Sequence, residues 1–337
     1  MNNIFDSAKL EKFRNFCSGT ERIAIVSHNN PDGDAVGSGL ALLYFLRAGG
    51  FNVRFFVPNR HPQFLVWIDP GNDIEIFNEM HGEATAYIAA ADLIICVDFN
   101  VMHRLEKMAG AVEANFHARK VLIDHHLEPG EFDLVFSDTR FSSTSQMVYE
   151  MLRLLGGGDA IDLPIANALY AGIMTDTGGF SYGHLSGDLF RAVADLIDKG
   201  VDPVMAHRLV YDTMSESRMR MLGYLLCEKM KVFPEHHAAY ISITNDEKTR
   251  FDHQIGDTEG IANLPLSITG VRFSALLIET ADCIKVSLRS QGDFDVNELS
   301  RKYFNGGGHK NAAGGKLFTS MDEAIAATEK VILSVYP

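Results

Sequence analysis

Short apolar runs punctuate the first half of the chain, and between them lie segments whose apolar residues recur at helical spacing. The runs are RIAIVS (22–27), NVRFFV (52–57), DLIICVD (92–98), KVLID (120–124) and DLVFS (133–137). Helical patterns cover 35–48, 101–112 and 142–155, and the N-terminal MNNIFDSAKLEKFRNF also carries its Ile, Phe and Leu at helical spacing. Strands alternating with helices predict an α/β fold with a mostly parallel sheet flanked by helices. From 161 to about 231 the pattern is nearly all helical, broken by polar stretches near 183–187, 200–202 and 213–216. From 236 onward it changes again. HHAAYISIT, RFSALLIET and CIKVSLRS read as β-branched strands, followed by helix-like stretches at 296–304 and 321–335. This predicts an N-terminal domain over 1–190, a helical connector over 191–229 and a smaller C-terminal α+β domain over 230–337. There is no internal repeat.

Composition narrows the partners. The 337 residues are 46% hydrophobic and 22% charged, as in a globular protein, and exceed one ordinary core. The net charge of −14 and a pI near 5.3 argue against wrapping long nucleic acid, which needs a basic stripe to release counterions. Short phosphorylated substrates stay open, because a buried site can supply positive charge locally. The four cysteines, Cys17, Cys96, Cys227 and Cys283, form no CxxC pair and read as reduced core thiols. With no run of signal-peptide or membrane-spanning type, the expected location is a reducing cytoplasm, away from membranes.

The chemistry sits where strands end. RIAIVS runs into HNNPDGDAVGS, which places His28, Asp32 and Asp34 on a loop before a helix. In an open parallel sheet, ligands bind beyond the carboxyl ends of the strands. Two acids so close repel one another unless a cation joins them. Asp32 also suits the N-cap of the following helix, but HxxxDxD on a strand-end loop favours metal. Asp98 repeats the position after ADLIICV, and a strand-end acid serves equally as an N-cap. KVLIDHH is less ambiguous, because Asp124, His125 and His126 have no packing purpose there. Asp176 closes an apolar helical segment before Gly178 and Gly179. Helix C-termini repel anions, so a positive group is expected beside it. Ligands from four element ends suit two metals about 3.5–4 Å apart, able to clamp the attacking and leaving oxygens of a phosphoryl group. Mixed His and carboxylate donors fit Mn²⁺ first, with Co²⁺, Fe²⁺ or Mg²⁺ as alternatives, over Ca²⁺ or structural Zn²⁺.

HNNPDGDAVGSGLAL, VDFNVMHRL, IDHH, SSTSQMVYE and GIMTDTGGF resemble, in order, the motifs of the DHH phosphoesterase superfamily, and YFNGGGHKNAAGG resembles its associated nucleotide-binding domain. The likeness spans essentially the whole chain. Its compact bacterial members include oligoribonuclease/phosphoadenosine phosphate phosphatases and dinucleotide phosphodiesterases. The resemblance implies one metal on His28, Asp32 and Asp98, and a second on Asp34, Asp98, His125 and Asp176, with Asp98 bridging. It places His126 toward the scissile phosphate or leaving oxygen and Asp124 behind it, and nothing in the sequence separates those two roles. Arg104 stands where the family carries an arginine, either as a strut for the acids or as a substrate contact.

A second constellation is the run Gly306, Gly307, Gly308, His309, which neither a helix nor a strand interior would choose. Its N–H groups could form an anion nest, with Arg289 upstream offering a bidentate phosphate contact. Lys310 and Asn263 are lesser candidates. Asn305 and Leu266 depart from the family pattern, where relatives carry glycine and arginine respectively, which bears on substrate preference. The sequence thus predicts two domains facing across a cleft. A terminal phosphate held by the glycine segment would place a phosphate about one nucleotide away at the metals. Expected substrates are short RNA, linear or cyclic dinucleotides and 3′-phosphoadenosine 5′-phosphate, with no long duplex and a homodimer as a further possibility. A family II inorganic pyrophosphatase, a silent nucleotide sensor and a RecJ-type DNA exonuclease are the competing readings.

Overall fold

A computed structural model describes residues 4–335. The chain divides into two compact units, Met1–Thr213 and Met214–Pro337, a division that falls inside the stretch expected as a connector.

In the first unit six strands are hydrogen-bonded in the order β3-β2-β1-β4-β5-β6, all parallel. They are β1 (Ile23–Val26), β2 (Val53–Val57), β3 (Ile74–Ile76), β4 (Leu93–Val97), β5 (Arg119–Asp124) and β6 (Leu134–Ser137). The central strands β1 and β4 are apolar throughout because both faces are covered. Ile23, Ile25, Leu93, Ile95 and Val97 face one core, while Ala24, Val26, Ile94 and Cys96 face the other. The first core includes residues of α1 (Ser7–Ser18), α2 (Gly33–Ala48), α5 (Thr144–Gly156), α6 (Leu163–Asp176), α7 (Gly187–Asp198) and α8 (Pro203–Tyr211). The second lies under α3 (His81–Ala89) and α4 (Lys107–Ala114). Strand order reverses between β1 and β4, the topological switch point at which open sheets leave a crevice.

Two helices lack a polar face. Every residue of α2 from Gly33 to Leu43 is buried, as is most of α6, because each packs on the other as well as on neighbouring elements. Glycine makes this close approach possible. A Cβ on Gly37 would collide with the Ala168 carbonyl and lie 3.0 Å from the Gly172 nitrogen.

Departures from the expected elements have local causes. The helix expected over 101–112 is a 3-10 turn (Met102–Leu105) and α4, separated by Glu106 at φ +50°. Leu105, Met108 and Val112 are all buried on the same core, so two segments imitate one period. The sequence also gives no warning of β3 or α3. Of the four cysteines, which are all free, Cys17 and Cys96 are buried but Cys227 is exposed, so the core-thiol reading fails there.

The second unit holds a mixed sheet in the order β11-β12-β10-β9-β8-β7, parallel only between β8 and β9. After α9 (Glu216–Tyr224) come β7 (Lys231–Phe233), β8 (Ala238–Ile243), α10 (Asn245–Arg250), β9 (Phe273–Glu279) and β10 (Ile284–Ser290). Then follow α11 (Val296–Tyr303), β11 (Gly307–His309), β12 (Ala312–Leu317) and α12 (Met321–Val335). No helix among the described residues is long and apolar enough to cross a membrane.

The close packing of α2 on α6 is testable. Gly37→Ala should lower stability by about 1–3 kcal/mol, read from the urea midpoint. Gly82→Ala in α3, where an added Cβ meets nothing within 4 Å, should not lower it. A Gly37→Ala midpoint at or above wild type would contradict the close-approach account.

Candidate metal centre

Register aligns the first part of the site. Val26 pairs with Cys96 and Cys96 with Leu122, so two residues further on His28, Asp98 and Asp124 fall level across the ends of β1, β4 and β5. The Ser27 hydroxyl donates to the Val97 carbonyl at 2.8 Å, and the Asp98 N–H to Ile123 at 3.1 Å, which ties the strand ends together. Asp98 itself turns into the left-handed region at φ +63°, a conformation that Asp tolerates better than most residues and one that clusters at functional sites.

Both histidines aim the same nitrogen inward. His28 Nδ1 lies 3.0 Å from the Asn29 carbonyl, so the proton belongs on Nδ1 and the Nε2 lone pair faces Asp98 Oδ2 at 3.4 Å. His125 Nδ1 lies 3.4 Å from the Phe141 carbonyl. Its Nε2 faces Asp176 at 3.5 Å, Asp98 at 3.7 Å and Asp34 at 3.8 Å. Asp32 caps the helix and still offers an oxygen toward the other candidate ligands. Its Oδ1 caps α2 by accepting from the Asp34 and Ala35 amides at 3.1 Å, while a carboxylate oxygen stays within 4.8 Å of ligand atoms of His28 and Asp98. Asp34, His125 and Asp176 form a second such group. At the end of α6, where a positive group is expected, Asp176 Oδ2 faces the His125 ring, with Nε2 3.5 Å away.

Electrostatics show what this arrangement lacks. Burial, followed by repulsion from Asp34, Asp32, Asp176 and Asp124, pushes the Asp98 carboxyl well above the ordinary range. Burial also raises Asp34, although His125 opposes the shift. Burial drags His28 down to about 4, which keeps its imidazole neutral. Burial acts the same way on His125, but Asp176 and Asp34 outweigh it and raise its pKa. Carboxylates and imidazole lone pairs directed at one another in a dry site call for a cation.

Asp124 and His126 form a pair of their own. Asp124 is fully buried and its Oδ1 lies 2.6 Å from His126 Nδ1. Desolvation pushes Asp124 up, but His126 outweighs it and holds the carboxyl below its ordinary value. The other oxygen, Oδ2, is buried without a hydrogen-bond partner. His126 Nδ1 is also 3.8 Å from Asp98 Oδ1, so the pair abuts the bridging candidate. The Arg104 side chain is exposed and among the described residues forms no ion pair, but its charge, after that of His28, is among those that hold the Asp32 carboxyl down against desolvation, and its carbonyl accepts from the Asn29 amide.

In the second unit, Arg289 lies near the end of β10, paired with Ala312, which in turn pairs with His309. The glycine run is not a free nest. Gly307–His309 is a short strand, and the Gly308 N–H donates to Asn297 Oδ1 at 2.9 Å. Glycine is required for another reason. A Cβ on Gly306 would strike the Gly314 carbonyl, and one on Gly308 (φ +150°) would lie 2.6 Å from the Ala312 carbonyl. Lys310 is a surface residue paired with Asp293 at 2.9 Å, and Asn263 lies in a 3-10 turn (Ile261–Ser267).

Residues 22–173 match the DHH family, N-terminal domain, and residues 239–334 match the DHHA1 domain. The solved structure of an exopolyphosphatase-related protein from Bacteroides fragilis is 39% identical, superposes with a TM-score of 0.93, and is covered over 99% of its chain by 100% of this one. The chain belongs to the DHH family. Among curated DHH relatives, the bifunctional oligoribonuclease and PAP phosphatase NrnA of Bacillus subtilis (strain 168) is 28% identical over 309 residues, 90% of this chain and 91% of that one. The cyclic-di-AMP phosphodiesterase GdpP of the same organism is 26% identical over 340 residues, 93% of this chain but 48% of its own length.

These DHH homologues support a hydrolase of phosphoester bonds, and enzymes of the DHH family use divalent metals. The site fits such ions on three observations: inward Nε2 lone pairs, the electrostatic frustration at Asp98, and the orphaned Asp124 oxygen. Sequence reasoning assigned no role to Thr144 and Ser145 in this DHH chain. Thr144 donates its N–H to Asp34 at 2.6 Å and its hydroxyl to Asp98 at 2.9 Å, and the Ser145 N–H reaches Asp34 at 2.7 Å. The available signal was the polar run Ser142–Gln146, which precedes an apolar helical pattern and is buried throughout.

Removing one charge should relieve the apo protein. A group whose folded pKa is raised contributes stability below its unfolded pKa and loses it as pH rises through the folded one. Chelator-treated Asp98→Asn should therefore melt higher than chelator-treated wild type at pH 7, and the gap should close at acid pH. Mn²⁺ should raise the melting temperature of wild type far more than that of the variant. A variant that melts lower in chelator would contradict the frustration described above.

Proposed function

We propose that the chain is a two-metal phosphoesterase of small nucleotides. Its substrates are short oligoribonucleotides, linear or cyclic dinucleotides and 3′-phosphoadenosine 5′-phosphate. The observation that carries this reading is Asp98, which lies between the His28–Asp32 and Asp34–His125–Asp176 groups with an imidazole nitrogen aimed at it from each side. His28, Asp32 and Asp98 would hold one ion, and Asp34, Asp98, His125 and Asp176 the other, with Mn²⁺ the best match to the donors. When bound, the ions supply Lewis-acid activation of water and neutralise charge at the phosphoryl group.

The chain's own groups do the rest. Asp124 holds the His126 proton on Nδ1 and stabilises the imidazolium. His126 in that form delivers its Nε2 proton to the leaving oxygen. Asp32 and the α2 amides that it caps keep the loop after β1 in place. Arg289 and the Gly306–His309 segment bind a phosphate or nucleotide moiety of the substrate, with the Arg289 guanidinium as the anionic contact. The names of the NrnA and GdpP relatives supply the substrate classes, and the net charge of −14 disfavours long polyanions.

Turnover of a five-residue RNA, a phosphorylated dinucleotide, cyclic diadenylate, the bisphosphate nucleotide and inorganic pyrophosphate, compared with Mn²⁺ present, tests the reading. The nucleotides should be hydrolysed and pyrophosphate should be poor; the reverse order would favour a pyrophosphatase. Asp98→Ala should lose about 10³-fold or more in kcat with saturating Mn²⁺, since several kcal/mol of transition-state stabilisation go with the metals. Near-normal activity would remove Asp98 from its bridging role. Arg289→Ala should raise KM about 10–100-fold with Mn²⁺ affinity unchanged. An unaltered KM would take Arg289 out of substrate binding.

A further inference from the structure

The first turn of an α-helix leaves N–H groups with no intrahelical acceptor, and in α5 those of Thr144, Ser145 and Gln146 each have an identifiable partner. The Gln146 N–H is taken by the Ser143 hydroxyl at 3.0 Å, as an N-cap residue does. The Met147 N–H reaches the Ser143 carbonyl at 3.3 Å. Gln146 folds back so that its Oε1 accepts from the Ser142 N–H at 2.9 Å and hydroxyl at 3.0 Å. That leaves the amides of Thr144 and Ser145, and both go to the two oxygens of a carboxylate 110 residues earlier in the chain. Asp34 Oδ2 accepts from Thr144 at 2.6 Å and Oδ1 from Ser145 at 2.7 Å. Asp34 is 1% exposed, so water does not share the task. The helix is capped in part from outside itself, by one of the groups assigned to the metals.

Thr144 adds a second tie. Its hydroxyl donates to Asp98 Oδ1 at 2.9 Å. One residue, 0% exposed, therefore holds Asp34 through its main chain and Asp98 through its side chain. A β-branched side chain at the start of a helix has few rotamers, so the hydroxyl direction is fixed relative to the amide. The two carboxylates belong to the start of α2 and the end of β4, and their mutual repulsion would otherwise drive them apart.

We propose that Thr144 is a positioning residue that sets the separation of Asp34 and Asp98, so that the metal-binding geometry is built before any ion arrives. This rests on the two-metal reading of the site. Such outer partners of metal ligands typically tune affinity about 10–100-fold.

The experiment is Mn²⁺ titration of the full chain by calorimetry and by electron paramagnetic resonance, on wild type, Thr144→Val and Thr144→Ser. Thr144→Val keeps the amide and the branch and loses only the hydroxyl. It should bind Mn²⁺ about 10–100-fold more weakly. Thr144→Ser, which restores the hydroxyl, should fall within about threefold of wild type. In turnover assays, raising Mn²⁺ should restore kcat of the Val variant while KM for the nucleotide stays that of wild type. The proposal is overturned if Thr144→Val binds Mn²⁺ as wild type does, or if Thr144→Ser is as weak as Thr144→Val. It is also overturned if both Thr144→Val and Thr144→Ala lose cooperative melting in chelator, because the hydroxyl then serves folding. A wild-type chain that binds no Mn²⁺ fails differently: it removes the two-metal reading itself.

Discussion

Charge repulsion at one end of a parallel sheet is the constraint around which the first unit is built. Asp98 is buried among four other carboxylates, and burial plus those neighbours drive its pKa upward. A folded chain does not gather such groups for packing. Each is placed by a different device: the register of β1, β4 and β5 for His28, Asp98 and Asp124, a helix cap for Asp32, the N-terminus of α5 for Asp34, and a helix end for Asp176. The cost of assembling them is a strained backbone at Asp98 and unsatisfied buried oxygen at Asp124.

The largely buried helices α2 and α6 follow from that constraint. Their bodies pack against each other with glycine at the contact, which brings the start of one and the end of the other to the same edge of the sheet. The start of α2 carries Asp34 and the end of α6 carries Asp176, and a Cβ on Gly33 would collide with the Thr175 side chain. Helix dipoles favour an acid at the first position and oppose one at the second. The unfavourable one lies 3.5 Å from His125, whose pKa rises to compensate.

Much of this was legible in the sequence, for identifiable reasons. Acids and histidines directly after apolar runs have no packing use, so HNNPDGD, VDF and IDHH stand out, and doubly covered strands such as LIICV are unmistakable. What escaped was set by tertiary contact. The strand β12 reads AAGGKL, which no propensity scale would choose. It forms because Gly306 and Gly315 let the hairpin lie against α11, where a Cβ on Gly315 would strike the Phe304 carbonyl. The same packing explains why the glycine run looked like a nest yet is partly a strand. Thr144 and Ser145 were invisible as metal-site supports because their partners, Asp34 and Asp98, are distant in sequence and a hydroxyl at a helix start reads simply as a cap.

Anomalous scattering from crystals grown with Mn²⁺ addresses the central claim most directly. Two peaks should appear in the first unit, one against His28 and Asp32, the other against Asp34, His125 and Asp176, with Asp98 contacting both. One peak alone, or two that leave Asp98 untouched, would contradict the account.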